Sequence, residues 1–294
     1  MEFKSTGSQI ALFLMLLGIN IIVFSTLAGT TANLLFGSSD LNTSPIFRYI
    51  NSFTAIGVFG LTAYGFAFFV NNKNPLPYLQ LNKGVNISVC IILLLTYIVS
   101  LPALSWLIAW NEGIKLPEFM SSVESWMRLN EDKNAERTVQ LLSGTTINIL
   151  LLNLLTIGLI PAICEELLFR GAILQWFRKS FKNVHLAIFL SAIIFSAIHL
   201  QFYGFFPRML MGMYLGYLFI WTGSIWSCII FHFINNVIIV LTAYLYNTKI
   251  IDAHYKDFGS VGDNYLLILL SIVLTSVCLY FTYKKRKAKE TISE

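Results

Sequence analysis

Charge is what this chain has least of. Asp, Glu, Lys and Arg make up 12% of its 294 residues, about half of the ~25% usual in soluble domains. With 56% hydrophobic residues and a mean hydropathy of +0.70, a soluble globular domain is excluded. Cysteine is scarce too. Cys90, Cys164, Cys228 and Cys278 all fall in apolar stretches, and no pair has C-x-x-C spacing. That excludes a disulfide framework and a cysteine-based zinc site, and leaves them as small buried hydrophobes. There is no H-E-x-x-H and no G-x-S-x-G. Neither a standard zincin nor a nucleophile-elbow serine hydrolase therefore fits. The net charge of +5 gathers in one place, Lys284-Lys-Arg-Lys-Ala-Lys289. A short basic cluster after an apolar span marks a cytoplasmic face and touches anionic lipid; it is no nucleic-acid surface.

What the chain does have is apolar length. A transmembrane helix needs ~20 mostly apolar residues. Eight stretches qualify, at about 8–35, 46–70, 85–110, 145–170, 184–203, 205–222, 225–246 and 264–283. The fold class is all-α, a polytopic membrane protein of about eight helices. Four regions follow: an N-terminal scaffold (1–110), an amphipathic interfacial segment (111–144), a core (145–246), and a last helix with a basic tail (247–294). Eight spans put both termini on the same side. Eleven Lys and Arg would then be cytoplasmic and eight external, counted from the sequence, so the positive-inside rule places both termini in the cytoplasm of a cell-membrane protein.

Spans one to three read as a lipid-facing scaffold without intramembrane charge. The core is different. Between Thr145 and Phe177 the only charged residues are Glu165, Glu166 and Arg170. A charge at membrane depth costs at least ~2.5–3.5 kcal/mol and faces a protein interior or a wet cavity. Residues four apart share a helix face, so Arg170 pairs with Glu166. Glu165, about 100° round the helix, is left free to act. Two further polar insertions follow in successive spans: Phe195-Ser-Ala-Ile-His199 and His232-Phe-Ile-Asn-Asn236. Glu165 and His199 lie thirteen and sixteen residues from the turn at Arg178–Asn183, about 20 and 24 Å at ~1.5 Å per residue. His232 lies only about 12 Å from the turn at Thr222-Gly-Ser224 by the same rise. The depths agree if the first hairpin projects or the second turn is recessed.

Glutamate, two histidines and an asparagine on successive helices form a set able to activate water. Glu165 can take its proton. His199 and His232 can orient it or, with Glu165, bind Zn²⁺. His232 and Asn236 can donate to a developing oxyanion. The residues leave both a zinc-assisted and a metal-free glutamate–histidine reaction open. Two other classes compete. A proton-coupled transporter predicts matching polar interruptions in both halves, and spans one to three have none. A non-catalytic immunity or scaffold protein of the same fold predicts loss of a motif residue, and all are present.

Together, Glu-Glu-x-x-x-Arg at 165–170, Phe-x-x-x-His at 195–199 and His-x-x-x-Asn at 232–236 resemble the three motifs of the CAAX prenyl protease 2 (Rce1-type) family. That group includes the bacteriocin-processing, or Abi, proteins. The resemblance covers about 145–246. It implies an eight-helix intramembrane endopeptidase in which Glu165 activates water, His199 positions it, and His232 and Asn236 stabilise the oxyanion. Glu166 and Arg170 support the helix, with Phe195 part of the second motif. It also implies membrane lipid and a membrane-embedded or lipidated peptide as partners. In eukaryotic members the substrate is prenylated; a leader or membrane peptide is the alternative for this short scaffold.

Overall fold

The computed structural model describes residues 5–37, 44–252, 254, 257, 259–262 and 264–292. Among these there is no strand. Six helices are long and apolar enough to cross a membrane. They are α1 (Thr6–Phe36), α2 (Ser44–Val70), α3 (Ile87–Glu112), α5 (Ile147–Phe181), α8 (Ile225–Asn247) and α9 (Tyr265–Ile292, crossing over Tyr265–Lys285). Three further helices of 14 to 22 residues are α4 (Ser121–Leu142), α6 (Val184–Ala197) and α7 (Phe205–Thr222); short helical turns at Pro75–Tyr78, Glu118–Met120 and Phe202–Gly204 also occur among the described residues. The fold is all-α and multi-pass, as its composition requires. Six spans meet the length expected of eight; the fifth and sixth differ in an informative way.

Helix α6 has 14 residues, or about 21 Å at 1.5 Å per residue, against a hydrocarbon core of ~30 Å. The expected span at 184–203 therefore breaks before it is complete. His199 and Leu200 close it through amide hydrogen bonds to the Ser196 and Ala197 carbonyls, at 3.4 and 3.1 Å. Leu200 takes a left-handed φ of 52°, uncommon for a side chain without a local hydrogen bond to offer. Ser196 donates to the Phe205 carbonyl at 2.7 Å, and Arg208 to Gln201 Oε1 at 2.6 Å. Asn111 of α3 donates to the Phe202 carbonyl and accepts from the Phe206 amide. Non-helical backbone at membrane depth is tolerated only inside protein or against a wet cavity. The break is thus pinned from three sides, and it carries His199.

Both routes to equal depth are open in the structure. Helix α5 runs 35 residues to Phe181, well past the ~20 needed to span, so its hairpin projects. The Thr222–Ser224 turn is covered by the loop after α2. Ser224 Oγ donates to the Lys83 carbonyl, and Trp226 Nε1 to the Leu81 carbonyl at 2.9 Å.

Helix α5 is not uniform. Two π-helical stretches, Leu154–Leu159 and Leu167–Leu174, flank Ile160–Glu166. Pro161 explains the first. It has no N–H to return to the Ile157 carbonyl, and a wider turn relieves its ring.

One expectation is corrected. The scaffold does carry a buried ion. Arg48, one of the eight cations counted above as external, is 7% exposed in the first turns of α2. Its Nε donates to Asn153 Oδ1 at 2.8 Å and its Nη2 to the Leu141 carbonyl. These bonds tie the scaffold to the end of α4 and the start of α5.

Helix α4 is the polar segment expected to lie in the interface. Phe119, just before it, is 86% exposed, and Trp126, Leu129 and Val139 are also exposed. Trp126 packs on Phe202 with ring centroids 5.4 Å apart, and the Arg128 guanidinium lies 4.5 Å over Tyr203. Hydrogen bonds from Arg128 and from the Leu116 amide hold the Glu124 carboxyl below its usual range. The helix therefore rests on the turn that follows His199.

Helices α6 and α7 approach closely through small residues, the pattern membrane helices use when apolar burial gives no drive. A Cβ on Gly216 would lie 2.8 Å from Ile188 Cγ2, and one on Gly212 would lie 3.1 Å from Ala192 Cβ. Gly216→Leu should force the pair apart at a cost of ~1–3 kcal/mol or more. Thermal unfolding in detergent should show a clear fall in Tm; an unchanged Tm would mean the crossing is not tight.

Candidate active site

Glu165 and Glu166 are neighbours that face different partners. Glu166 is fully buried. Its Oε1 accepts from Arg170 Nη1 at 2.7 Å and from His232 Nδ1 at 2.8 Å. Arg170 also donates to the Gly212 carbonyl at 3.1 Å, and its guanidinium sits 4.7 Å over the Phe195 ring. Phe195 is 1% exposed and touches both histidines, with ring centroids 5.3 Å from His199 and 6.2 Å from His232. The ion pair thus links α5, α7 and α8, and Phe195 of α6 seals it. Burial of these charges is tolerable because each has a short, charge-assisted partner.

Glu165 faces the broken end of α6. Its Oε2 lies 4.0 Å from His199 Nε2, and both side chains keep partial exposure, 13% and 27%. His199 Nδ1 is 2.8 Å from the Phe195 carbonyl. A carbonyl only accepts, so Nδ1 carries the hydrogen, and in the neutral ring Nε2 is left as an acceptor. A carboxylate oxygen and an imidazole lone pair then face each other across a gap too wide for a direct hydrogen bond. One water can bridge them by donating to both.

His232 and Asn236 share one face of α8, as their spacing requires, but both are already engaged. His232 Nδ1 goes to Glu166, so Nε2 is its remaining nitrogen. Asn236 Nδ2 donates to the Ile157 carbonyl at 3.1 Å, the oxygen that Pro161 cannot serve. Asn235 in turn donates to Asn236 Oδ1 at 3.1 Å, a packing bond. The sequence reading expected Glu165, His199, His232 and Asn236 to meet at one point. Glu165 and His199 approach to 4.0 Å, and His232 is close enough to interact electrostatically with both, while its direct bond goes to Glu166.

The zinc set of Glu165, His199 and His232 does not fit. Among the described residues no three His, Cys, Asp or Glu side chains are placed to hold one ion. The bond of His232 Nδ1 to Glu166 leaves Nε2 as the one nitrogen it could offer an ion. One residue was missed. Arg208 lies close enough to Glu165 to interact with it electrostatically. A lone arginine opening an apolar span nine residues after His199 was its signal.

Residues 147–238 match the family model described as type II CAAX prenyl endopeptidase Rce1-like. The match covers 92 of the 294 residues. The match spans α5 to most of α8 and holds every motif residue named above. Among the curated proteins and the solved structures nothing matches. Over α5 to α8 the chain is thus similar to a type II CAAX prenyl endopeptidase, and the geometry above gives the terms in which its chemistry can be argued.

Proposed function

We propose that the chain is an intramembrane endopeptidase. It hydrolyses a peptide bond in a lipidated or membrane-embedded peptide with water held between Glu165 and His199. The 4.0 Å spacing of Glu165 Oε2 and His199 Nε2 carries this reading. Water donating to both acceptors presents a lone pair to a carbonyl carbon. As it attacks, one proton passes to Glu165, and the carbonyl oxygen becomes an oxyanion. Asn236, through its second N–H, and His232, through Nε2–H when the ring carries both protons with Nδ1–H on Glu166, are the α8 donors assigned to receive it. Collapse breaks the C–N bond, and the proton on Glu165 passes to the leaving amine. Water and peptide give an acid and an amine, with the enzyme unchanged. Both termini lie on the cytoplasmic side in this reading.

The test is a comparison of membrane peptides in cells carrying the wild-type chain or Glu165→Ala. A defined set of uncut precursors should accumulate with the variant and their cleavage products vanish. Identical peptide populations would overturn the proposal.

The mechanism proposed uses no metal step, and this has its own check. Purified protein should keep full activity after dialysis against a chelator. Stoichiometric zinc with chelator-sensitive, zinc-restored activity would replace this reaction with a metal-assisted one.

A further inference from the structure

A cavity of about 450 Å³ lies between α3, α7, α8 and α9, across α8 from the candidate active site. Phe231 and Asn235 line it, while their neighbours His232 and Asn236 face α5. Its volume is in the ~300–1,000 Å³ range of ligand sites. Its wall is almost wholly apolar, with Leu104, Met213, Phe231 and Leu279 typical of it. Protein interiors hold few voids larger than a water molecule, because an unfilled wall forfeits its contacts. Water fills little of it, since a buried water needs two to four polar partners and the unpartnered buried hydroxyls of its wall are those of Tyr214 and Thr275. The hydroxyls of Thr96, Ser100 and Ser276 are already spent on carbonyls of their own helices.

Shape and surroundings identify the occupant. Along α7 the lining runs from Leu210 to Trp221, eleven residues or about 16 Å at ~1.5 Å per residue. That is roughly half the ~30 Å hydrocarbon thickness, the depth of one leaflet. Of its lining residues, Leu210 on α7 and Ile272 on α9 are 52% and 48% exposed. The slot is therefore open at its side between α7 and α9. At the other end Trp221 stacks edge-on against Tyr283, with ring centroids 5.7 Å apart. Lys284 and Lys285, both exposed, follow at once. The buried hydroxyl of Thr275, which lines the cavity, has no hydrogen-bond partner among the described residues.

We infer that this cavity holds one acyl chain of an anionic phospholipid, whose headgroup sits against Lys284 and Lys285. An apolar slot one leaflet deep suits the chain, and the basic residues at its end supply the charge preference. The inference does not depend on the peptidase reading, since neither part uses Glu165 or His199.

The test uses full-length protein reconstituted in vesicles of equal phosphatidylglycerol and phosphatidylcholine, then extracted in mild detergent and examined by native mass spectrometry. Wild-type protein should retain one phosphatidylglycerol. Ala103→Phe, which fills the slot from α3, should cut retention at least tenfold. Leu279→Trp, which fills it from α9, should do the same and guards against misfolding of either variant. Lys284→Gln with Lys285→Gln should keep a bound lipid but lose the preference for phosphatidylglycerol. Retention unchanged by both filling variants would overturn the cavity assignment. An undiminished preference in the double lysine variant would overturn the headgroup assignment.

Discussion

Glu165→Gln should lower peptide hydrolysis by about 10²–10⁴-fold, the range a positioned general base supplies, while leaving the fold intact. The reasoning is geometric. The amide keeps the size and partial exposure of the carboxylate but offers Nε2–H where the base must accept. Water between it and His199 loses one of its two acceptors, the carboxylate assigned to take its proton as charge develops. No buried partner is orphaned, because the ion pair of the site belongs to Glu166, not Glu165. The variant should therefore unfold at the wild-type temperature in detergent, and its rate on a peptide identified from accumulated precursors should collapse. His199→Ala should lower the rate as well, through loss of water positioning. Full activity in Glu165→Gln would show that another group is the base.

How much of this was legible beforehand follows from the price of polarity in a membrane. Glu165, Glu166, Arg170, His199, His232 and Asn236 stood out because each interrupts an apolar run, where an unpaired polar group is costly. The Glu166–Arg170 pair was legible from helical spacing alone, and it is present at 2.7 Å. The partner of His232 was not. Periodicity says which residues share a face of one helix; it says nothing about which neighbour on another helix that face meets. The break of α6 at Ala197 was hidden for a similar reason. Ile198, Leu200 and Phe202 are as apolar as the helix before them, and the signal that ends it lies in Asn111 and Arg208, far along the chain. Arg48 was misplaced because a charge near a span end is ordinarily solvated, and only its bond to Asn153 in another helix shows it to be buried. Asn236 carries a second lesson. Its bond to the Ile157 carbonyl repairs what Pro161 removes, so a motif residue read for chemistry also serves the helix that carries the base.

Arg170→Ala should be the most damaging single change to stability, at about 3–5 kcal/mol. It strips the guanidinium from a carboxylate that is fully buried, frees the Gly212 carbonyl, and removes the cation over Phe195. Glu166→Gln should cost a similar amount by leaving Arg170 uncompensated. The two losses should not add. A buried pair replaced together by apolar groups is often neutral, because both desolvation penalties go with it. Glu166→Leu with Arg170→Met should thus recover most of the stability, short of ~1–3 kcal/mol for the His232 Nδ1–H left without an acceptor. A double-mutant cycle of unfolding free energies in detergent measures this coupling directly. Activity separates structure from function in the same proteins. If Glu166 positions His232, the refolded double variant remains a poor peptidase, and additive losses in the cycle would instead mean that the buried ion pair is not the brace between α5, α7 and α8.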